Sequence, residues 1–143
     1  LKKWFNFNCE IIYFYNVYGP NHIKTGEMAT VIGIFEDLYK KNKPLTIVKP
    51  GNQTRRFTHI SDTIKVCYEA WLKKRSAHYS IAHKKSYSIR EVAKMFNAKT
   101  RYLKPRPGER YASALTNMSL NNKIIKKYGK INLKDYVRSF IKA

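Results

Sequence analysis

The feature that most constrains the fold is a nearly continuous run of apolar and aromatic residues at positions 11–17, which Tyr18-Gly19-Pro20 ends. A run without polar alternation is typical of a parallel strand that is covered on both faces. We therefore expect helices to pack on both sides of this strand. The pattern predicts a layered α/β fold.

The rest of the chain alternates between helix and strand patterns. Apolar residues spaced three and four apart indicate six helices, four of them preceded by polar residues able to cap a first turn. Short β-branched or aromatic runs between them indicate further strands. The predicted strands are 11–17, 45–48, 57–60, 77–81 and 100–103. The predicted helices are the end of one at 1–8, one at 29–41, one begun by Ser61 or Asp62, one begun by Ser88, a short one begun by Ser119 and ended by Gly129, and one begun by Asn132.

Length and composition indicate one globular domain. The chain has 143 residues, of which 43% are hydrophobic, and a chain of this length buries a substantial core. No apolar run approaches the ~20 residues of a membrane span, and we see no secretory signal, so we expect a cytoplasmic protein. Cys9 and Cys67 lack metal-ligand spacing and are predicted to be reduced, buried thiols.

The formal net charge of +20 raises the possibility of a nucleic-acid partner. However, several lysine pairs fall where helices are predicted to end, and cations there complement the helix dipole. Their distribution favours a structural role. A basic nucleic-acid-binding module is therefore kept as an alternative of a different class, and a partner with a few phosphates stays open.

Residue patterns that would support catalysis are scarce. The nine acidic residues are scattered, and the adjacent Glu36 and Asp37 are predicted to lie on a helix surface. No Gly-rich phosphate loop occurs, and the sequence predicts no metal site. Tyr39 and Lys43 have Tyr-x-x-x-Lys spacing, but at a helix end before a proline, which favours a chance match.

Candidate anion-binding residues lie on separate loops. Arg55 and Arg56 follow the turn Pro50-Gly51-Asn52 and are placed between that turn and the next strand. Arg106 lies in a loop that two prolines hold extended, close to Glu109. Asn16 ends the first strand, and ligands of α/β proteins bind at strand carboxyl ends. Two arginines from different loops could clamp a diphosphate between them.

Four motifs in order resemble the extended short-chain dehydrogenase/reductases, the family of sugar-nucleotide epimerases and dehydratases. They are the Asn-Val-Tyr-Gly-Pro strand end at 16–20, the substrate-loop helix at 29–35, the Pro-Leu-Thr-Ile…Gln-Thr-Arg-x-Phe segment at 44–57 and the Arg-Pro-Gly-Glu loop at 106–109. The resemblance covers nearly the whole chain and implies the C-terminal, substrate-binding half of a Rossmann-type enzyme. It implies a small mixed sheet with flanking helices over residues 1–143 as a single unit.

The resemblance also implies roles for individual residues. Arg55 and Arg106 would hold the diphosphate of a UDP-sugar from two sides, and Glu109 would accept the ribose hydroxyls. The remaining predicted contacts are Asn16, Thr30 and Val31 near the diphosphate, Leu45, Thr46 and Val48 beside the nucleobase, Phe57 beside the uridine, Phe14 by the nicotinamide of NAD, and Ser113 as a small residue that leaves room for an N-acetylated sugar.

The sequence departs from the family pattern in ways that limit the expected activity. Arg56 stands where the family has aspartate, and Gly33 replaces a common proline, as in members similar to UDP-glucose 4-epimerase. The NAD fingerprint and the catalytic Tyr-x-x-x-Lys lie upstream of these motifs in the family and are missing here. We expect no catalysis from this chain alone. A fragment of a nucleotide-sugar 4,6-dehydratase or decarboxylase is the alternative within the family. The chain could also form a homo-oligomer.

Overall fold

The computed structural model describes residues 2–108 and 127–143. Glu109, Ser113 and the predicted helix start at Ser119 lie outside the described residues. Within the described part the order of elements is α1 (Lys2–Phe5), β1 (Ile11–Phe14), β2 (Val17–Tyr18), α2 (Val31–Lys40), β3 (Leu45–Val48), β4 (Thr54–Arg56), β5 (Thr58–His59), α3 (Ile60–Lys73), β6 (His78–Ile81), β7 (Ser86–Ser88), α4 (Ile89–Met95), β8 (Thr100–Leu103) and α5 (Leu133–Lys142).

The strands pair across the chain rather than with their sequence neighbours. β1 pairs in parallel with β6, β2 with β5, and β3 with β8, whereas β4 and β7 are antiparallel. Parallel pairs need long crossovers, and helices supply them here. The predicted α/β class, with parallel and antiparallel pairing and flanking helices, is confirmed.

The main hydrophobic core lies between α2, β3, α4 and α5. Phe35, at 0% exposure, meets Phe96 edge-on with ring centroids 5.9 Å apart. Tyr39 packs its ring against Phe96 and Phe140, so it serves the core rather than a proton-transfer pair. Ser88 and Glu91 form the predicted capping box at the start of α4. These contacts fix the position of α2 against β3.

Three predicted boundaries differ from those in the structure. The N-cap of α3 is His59 rather than Ser61 or Asp62, because the His59 ring accepts a hydrogen bond from the Ser61 N–H. Arg55 and Arg56 lie inside β4, not between a turn and a strand. The region predicted as one strand at 57–60 contains only the short β5, and Ile60 already belongs to α3.

Several residues predicted to be buried are exposed. In β1, Phe14 is 55% exposed, so this strand is not covered on both faces within the described part of the chain. The apolar stripe of α3 faces outward, with Trp71 at 62% exposure, while Val66 and Ala70 on the opposite side are buried. Cys9 is exposed and Cys67 is half-buried, which corrects the expectation for both thiols.

The helices within 2–108 and 127–143 include none that is both long and apolar enough to cross a membrane.

Candidate functional site

A cleft of about 350 Å³ opens between the first turn of α2, the strand β3 and the loops around β4 and β8. It brings together residues that are far apart in the sequence. Eight of the residues predicted to contact a ligand line it: Asn16, Thr30, Val31, Thr46, Val48, Arg55, Phe57 and Arg106.

The first turn of α2 forms one wall of the cleft. Thr30 is the N-cap, and its hydroxyl oxygen accepts a hydrogen bond from the Gly33 N–H at 3.1 Å. The first N–H groups of a helix have no partner within the helix, and the helix dipole adds partial positive charge there. Val31 is the first helical residue. This wall therefore favours a negatively charged group.

Gly33 explains how the preceding loop packs onto α2. A Cβ at this position would lie 2.5 Å from the Ile23 carbonyl oxygen, a contact that no side chain tolerates without a backbone shift. The same Ile23 carbonyl accepts a hydrogen bond from the Thr30 N–H at 3.1 Å. The glycine is thus required by close packing of the loop that leads into the helix N-terminus.

Strand β3 forms a second wall and explains why only some of its predicted residues face the cleft. Side chains alternate along a strand, so Leu45 is fully buried in the core while Thr46 and Val48 line the cleft. The Leu45 and Lys49 N–H groups donate to carbonyls of the β8 side at 2.8 and 3.1 Å. The backbone N–H and carbonyl groups of successive residues also point to alternate edges of a strand. Those of Thr46 and Val48 therefore point away from β8.

The two adjacent arginines of β4 have different surroundings. Arg55 lines the cleft, half-buried, and its Nη1 donates to the Thr54 carbonyl at 2.8 Å. Arg56 donates instead to the His83 carbonyl at 3.1 Å and to the Lys84 carbonyl. Arg56 therefore ties β4 to the loop after β6, a structural role that the sequence alone did not reveal.

Asn16 joins the strand region to β4. It has a positive φ of 40°, a conformation that asparagine tolerates better than most residues. Its side-chain nitrogen donates to the Arg56 carbonyl at 3.1 Å, which fixes the amide at the edge of the cleft. Arg106 lies in the exposed segment after β8 and also lines the cleft. Phe14 is on β1 and does not line this cleft.

The prediction overlooked Gln53 and Glu36. Gln53 lines the cleft at 3% exposure, and the sequence signal was its place in the Gln-Thr-Arg motif. Glu36 was predicted on a helix surface and is instead 3% exposed. Its signal was the spacing from Ile32 and Tyr39, which puts it on the inner side of α2.

Glu36 is the centre of a buried polar network. Its carboxylate lies 3.0 Å from the His22 Nε2 and 3.5 Å from the Lys24 Nζ, and it accepts a hydrogen bond from the Tyr136 hydroxyl at 2.8 Å. Burial by itself would raise the pKa of Glu36, but the hydrogen bonds from His22 and Tyr136 outweigh it and lower the pKa. The network joins the loop before α2 to α2 and α5.

Within the described ranges no group of three or more His, Cys, Asp or Glu side chains could hold a metal ion. The polar groups around the cleft are instead arginines, backbone amides and side-chain amides. Such groups suit a phosphate-bearing ligand rather than a cation.

Residues 2–82 match the model of the NAD dependent epimerase/dehydratase family. The chain belongs to this family. A search of curated proteins found no significant match. The epimerase/dehydratase resemblance of the sequence is thus confirmed at the level of the family.

Solved structures of epimerases share the fold of this family member. The UDP-glucose 4-epimerase of Thermotoga maritima, solved with UDP-glucose, has 18% identity and a TM-score of 0.80. The UDP-N-acetylglucosamine 4-epimerase of Methanobrevibacter ruminantium, in complex with UDP-N-acetylmuramic acid, has 20% identity and a TM-score of 0.85. The UDP-glucuronic acid 4-epimerase of Bacillus cereus, with UDP-glucuronic acid and NAD, has 24% identity and a TM-score of 0.77.

Each of these three matches covers 99% of this chain and 47% of the solved chain. The epimerase/dehydratase family member described here therefore spans about half the length of the structures it matches.

Proposed function

We propose that this chain binds the nucleotide diphosphate of a UDP-hexose, as the substrate-binding, C-terminal portion of an NAD-dependent sugar-nucleotide epimerase. The observation that carries the proposal is the convergence of Arg55, Arg106 and the first turn of α2 on one cleft. Guanidinium groups bind phosphate oxygens with paired hydrogen bonds, and helix N-termini attract anions. A diphosphate is the ligand that uses all three features.

The nucleobase of the ligand is assigned to the open edge of β3, the edge that pairs with no other described strand. The Val48 N–H and the Thr46 carbonyl point away from β8, on the edge of the strand whose Thr46 and Val48 side chains line the cleft. A uracil ring carries a carbonyl next to a ring N–H, which complements a donor next to an acceptor. Leu45 supports this wall from the core, and Phe57, at 3% exposure, packs beside the uridine.

The remaining predicted contacts complete the proposal. Asn16, Thr30 and Val31 approach the diphosphate from the α2 side. Glu109 is proposed to accept the ribose hydroxyls, and Ser113 is proposed to leave room for an N-acetyl group. The relatives solved with UDP-glucose, UDP-N-acetylmuramic acid and UDP-glucuronic acid favour a UDP-sugar but leave the sugar open.

NAD is proposed to be held mainly by a complementary half of the fold. The cofactor supplies the acceptor for a hydride from the sugar carbon. This chain offers it the exposed ring of Phe14 on β1, whereas a Gly-rich phosphate turn is absent from the sequence. A 4,6-dehydratase or decarboxylase remains the second candidate, because the family model includes dehydratases.

The complementary half is proposed to pack on an exposed apolar face formed by β1 and the outer side of α3. On this face Phe14, Ile64, Tyr68 and Trp71 are each at least 55% exposed, and β1 pairs only with β6 among the described strands. Large apolar side chains exposed in this number indicate an interface. About half the length of the matched structures remains outside the chain to supply the partner layer.

The isolated 143-residue chain is expected to self-associate through this apolar face. Its apparent mass in sedimentation or light scattering should rise with concentration, and the double substitution Tyr68→Lys with Trp71→Lys should reduce the rise. Tyr102→Lys, which changes an exposed aromatic residue on β8, serves as the matched control. A chain that stays monomeric at every concentration would contradict the proposed face.

Calorimetric titration with UDP tests the proposed function against the nucleic-acid alternative. We expect saturable binding of one UDP per chain, with little competition from duplex DNA. A nucleic-acid-binding module would instead bind the duplex and would not bind UDP. Its affinity for the duplex would fall by orders of magnitude between about 50 and about 200 mM salt. That second outcome would overturn the proposal.

A further inference from the structure

Gln53 presents a buried hydrogen-bond acceptor without a partner at the wall of the cleft. The residue is 3% exposed and lines the cleft. Its Nε2 donates to the Val48 carbonyl at 3.2 Å. Its Oε1 is buried and has no hydrogen-bond partner within the described part of the chain.

The orientation of this amide follows from its single bond. The Val48 carbonyl can only accept a hydrogen bond, so the nitrogen of the Gln53 amide must face it. The Oε1 atom is therefore directed away from the Val48 carbonyl. The backbone around it is also fixed, because the Gln53 carbonyl accepts from the Ile89 N–H at 3.1 Å. Buried polar atoms without a partner are rare and call for an explanation.

The position of Gln53 along the cleft indicates which part of a nucleotide lies beside it. Gln53 contacts β3, the strand assigned to the base, through its hydrogen bond to Val48. It also lies two residues before Arg55, which is assigned to the diphosphate. Residues two apart in an extended segment face the same side. In any nucleotide the ribose joins the base to the phosphates, so the ribose is the part that reaches Gln53.

We propose that Gln53 is a specificity-determining residue whose Oε1 accepts a hydrogen bond from a ribose hydroxyl of the ligand. The inference rests on the proposed function and deepens it. A phosphate group offers only acceptors at neutral pH and would not satisfy this oxygen, whereas a hydroxyl donates to it. The site therefore takes ribonucleotide-linked sugars in preference to sugars linked to a nucleotide that lacks the hydroxyl.

Calorimetry with matched nucleotides tests this role on the unmodified chain first. UDP, 2′-deoxy-UDP and 3′-deoxy-UDP are titrated, and we expect one deoxy analogue to bind about 10-fold more weakly than UDP because it leaves Oε1 unsatisfied. Because Glu109 is also proposed to accept the ribose hydroxyls, the hydroxyl bound by Gln53 is identified by the analogue whose loss of affinity disappears when Oε1 is removed. Equal affinity for all three nucleotides would overturn the inference without any variant having to fold.

The substitution Gln53→Met then separates recognition from a merely structural role. Methionine keeps the length and shape of the side chain but has no amide oxygen. We expect the ratio of UDP to deoxy-UDP affinity to fall in this variant by the part that Oε1 contributes, whereas loss of a structural contact would weaken both nucleotides and keep the ratio. Asn52→Ala, at the exposed neighbouring position, should leave the ratio unchanged.

Three further outcomes distinguish the Gln53 assignment from the proposed function. If the unmodified chain binds no UDP, the proposed function fails and the Gln53 assignment fails with it. If UDP binds and the deoxy penalty persists in Gln53→Met, only the Gln53 assignment is overturned. A penalty for 3-methyl-UDP that disappears in Gln53→Met would likewise overturn it, by assigning Oε1 to the base.

Discussion

Replacing Arg55 by alanine is expected to weaken UDP binding about 30-fold, which corresponds to about 2 kcal/mol. Arg55 comes from β4, where the antiparallel pairing with β7 and the bond from Nη1 to the Thr54 carbonyl hold its direction. A fixed guanidinium fork binds a phosphate with two parallel hydrogen bonds. Arg55→Lys should retain the charge but lose the planar pair of donors. Its affinity for UDP should therefore lie between those of the unmodified chain and Arg55→Ala.

Isothermal titration calorimetry of the chain with UDP measures this effect. Arg106→Ala should give a similar loss, because it approaches the cleft from the separate loop after β8. Arg138→Ala on α5 is the matched control, since this exposed arginine pairs with Asp135 away from the cleft. Unchanged affinity in both Arg55→Ala and Arg106→Ala would refute the diphosphate clamp.

Replacing Glu36 by alanine is expected to lower the free energy of unfolding at pH 7 by about 3 kcal/mol. The substitution leaves the nearly buried His22 ring and the Tyr136 hydroxyl without their common partner. It also frees the loop before α2 from the helix. Chemical denaturation measures the loss, and Asp37→Ala provides the control, because that neighbour makes a more exposed pair with Lys41.

The pH dependence of Glu36 has a defined sign. Because hydrogen bonds lower the pKa of Glu36 below its ordinary value of 4.5 in the folded state, its stabilising contribution is fully present above that value. The contribution is lost as the pH falls through the lowered pKa. The difference in stability between the unmodified chain and Glu36→Gln should therefore shrink as the pH falls below 4.5, and a difference that grows would contradict this account.

Features determined by local sequence were predictable. The strand at 45–48, the capping box at Ser88 and the N-cap at Asn132 depend on residues within a few positions of one another, and all are present. The eight cleft-lining residues were found because the motifs that contain them follow a known family order. Their convergence on one cleft could not be derived from spacing alone.

Features determined by distant contacts were not predictable. Arg55 and Arg56 are chemically identical, and only the carbonyls of the loop after β6 distinguish the structural arginine from the one at the cleft. The buried position of Glu36 depends on Tyr136, one hundred residues away. The outward-facing stripe of α3 has the periodicity of a core helix, so its pattern does not reveal which layer covers it.

The most direct test of the central claim is an experimental structure of the chain with bound UDP. We expect the diphosphate between Arg55 and Arg106 at the first turn of α2, and the uracil ring along the open edge of β3 at Thr46 and Val48. A nucleotide bound outside this cleft, or a diphosphate that neither arginine contacts, would contradict it.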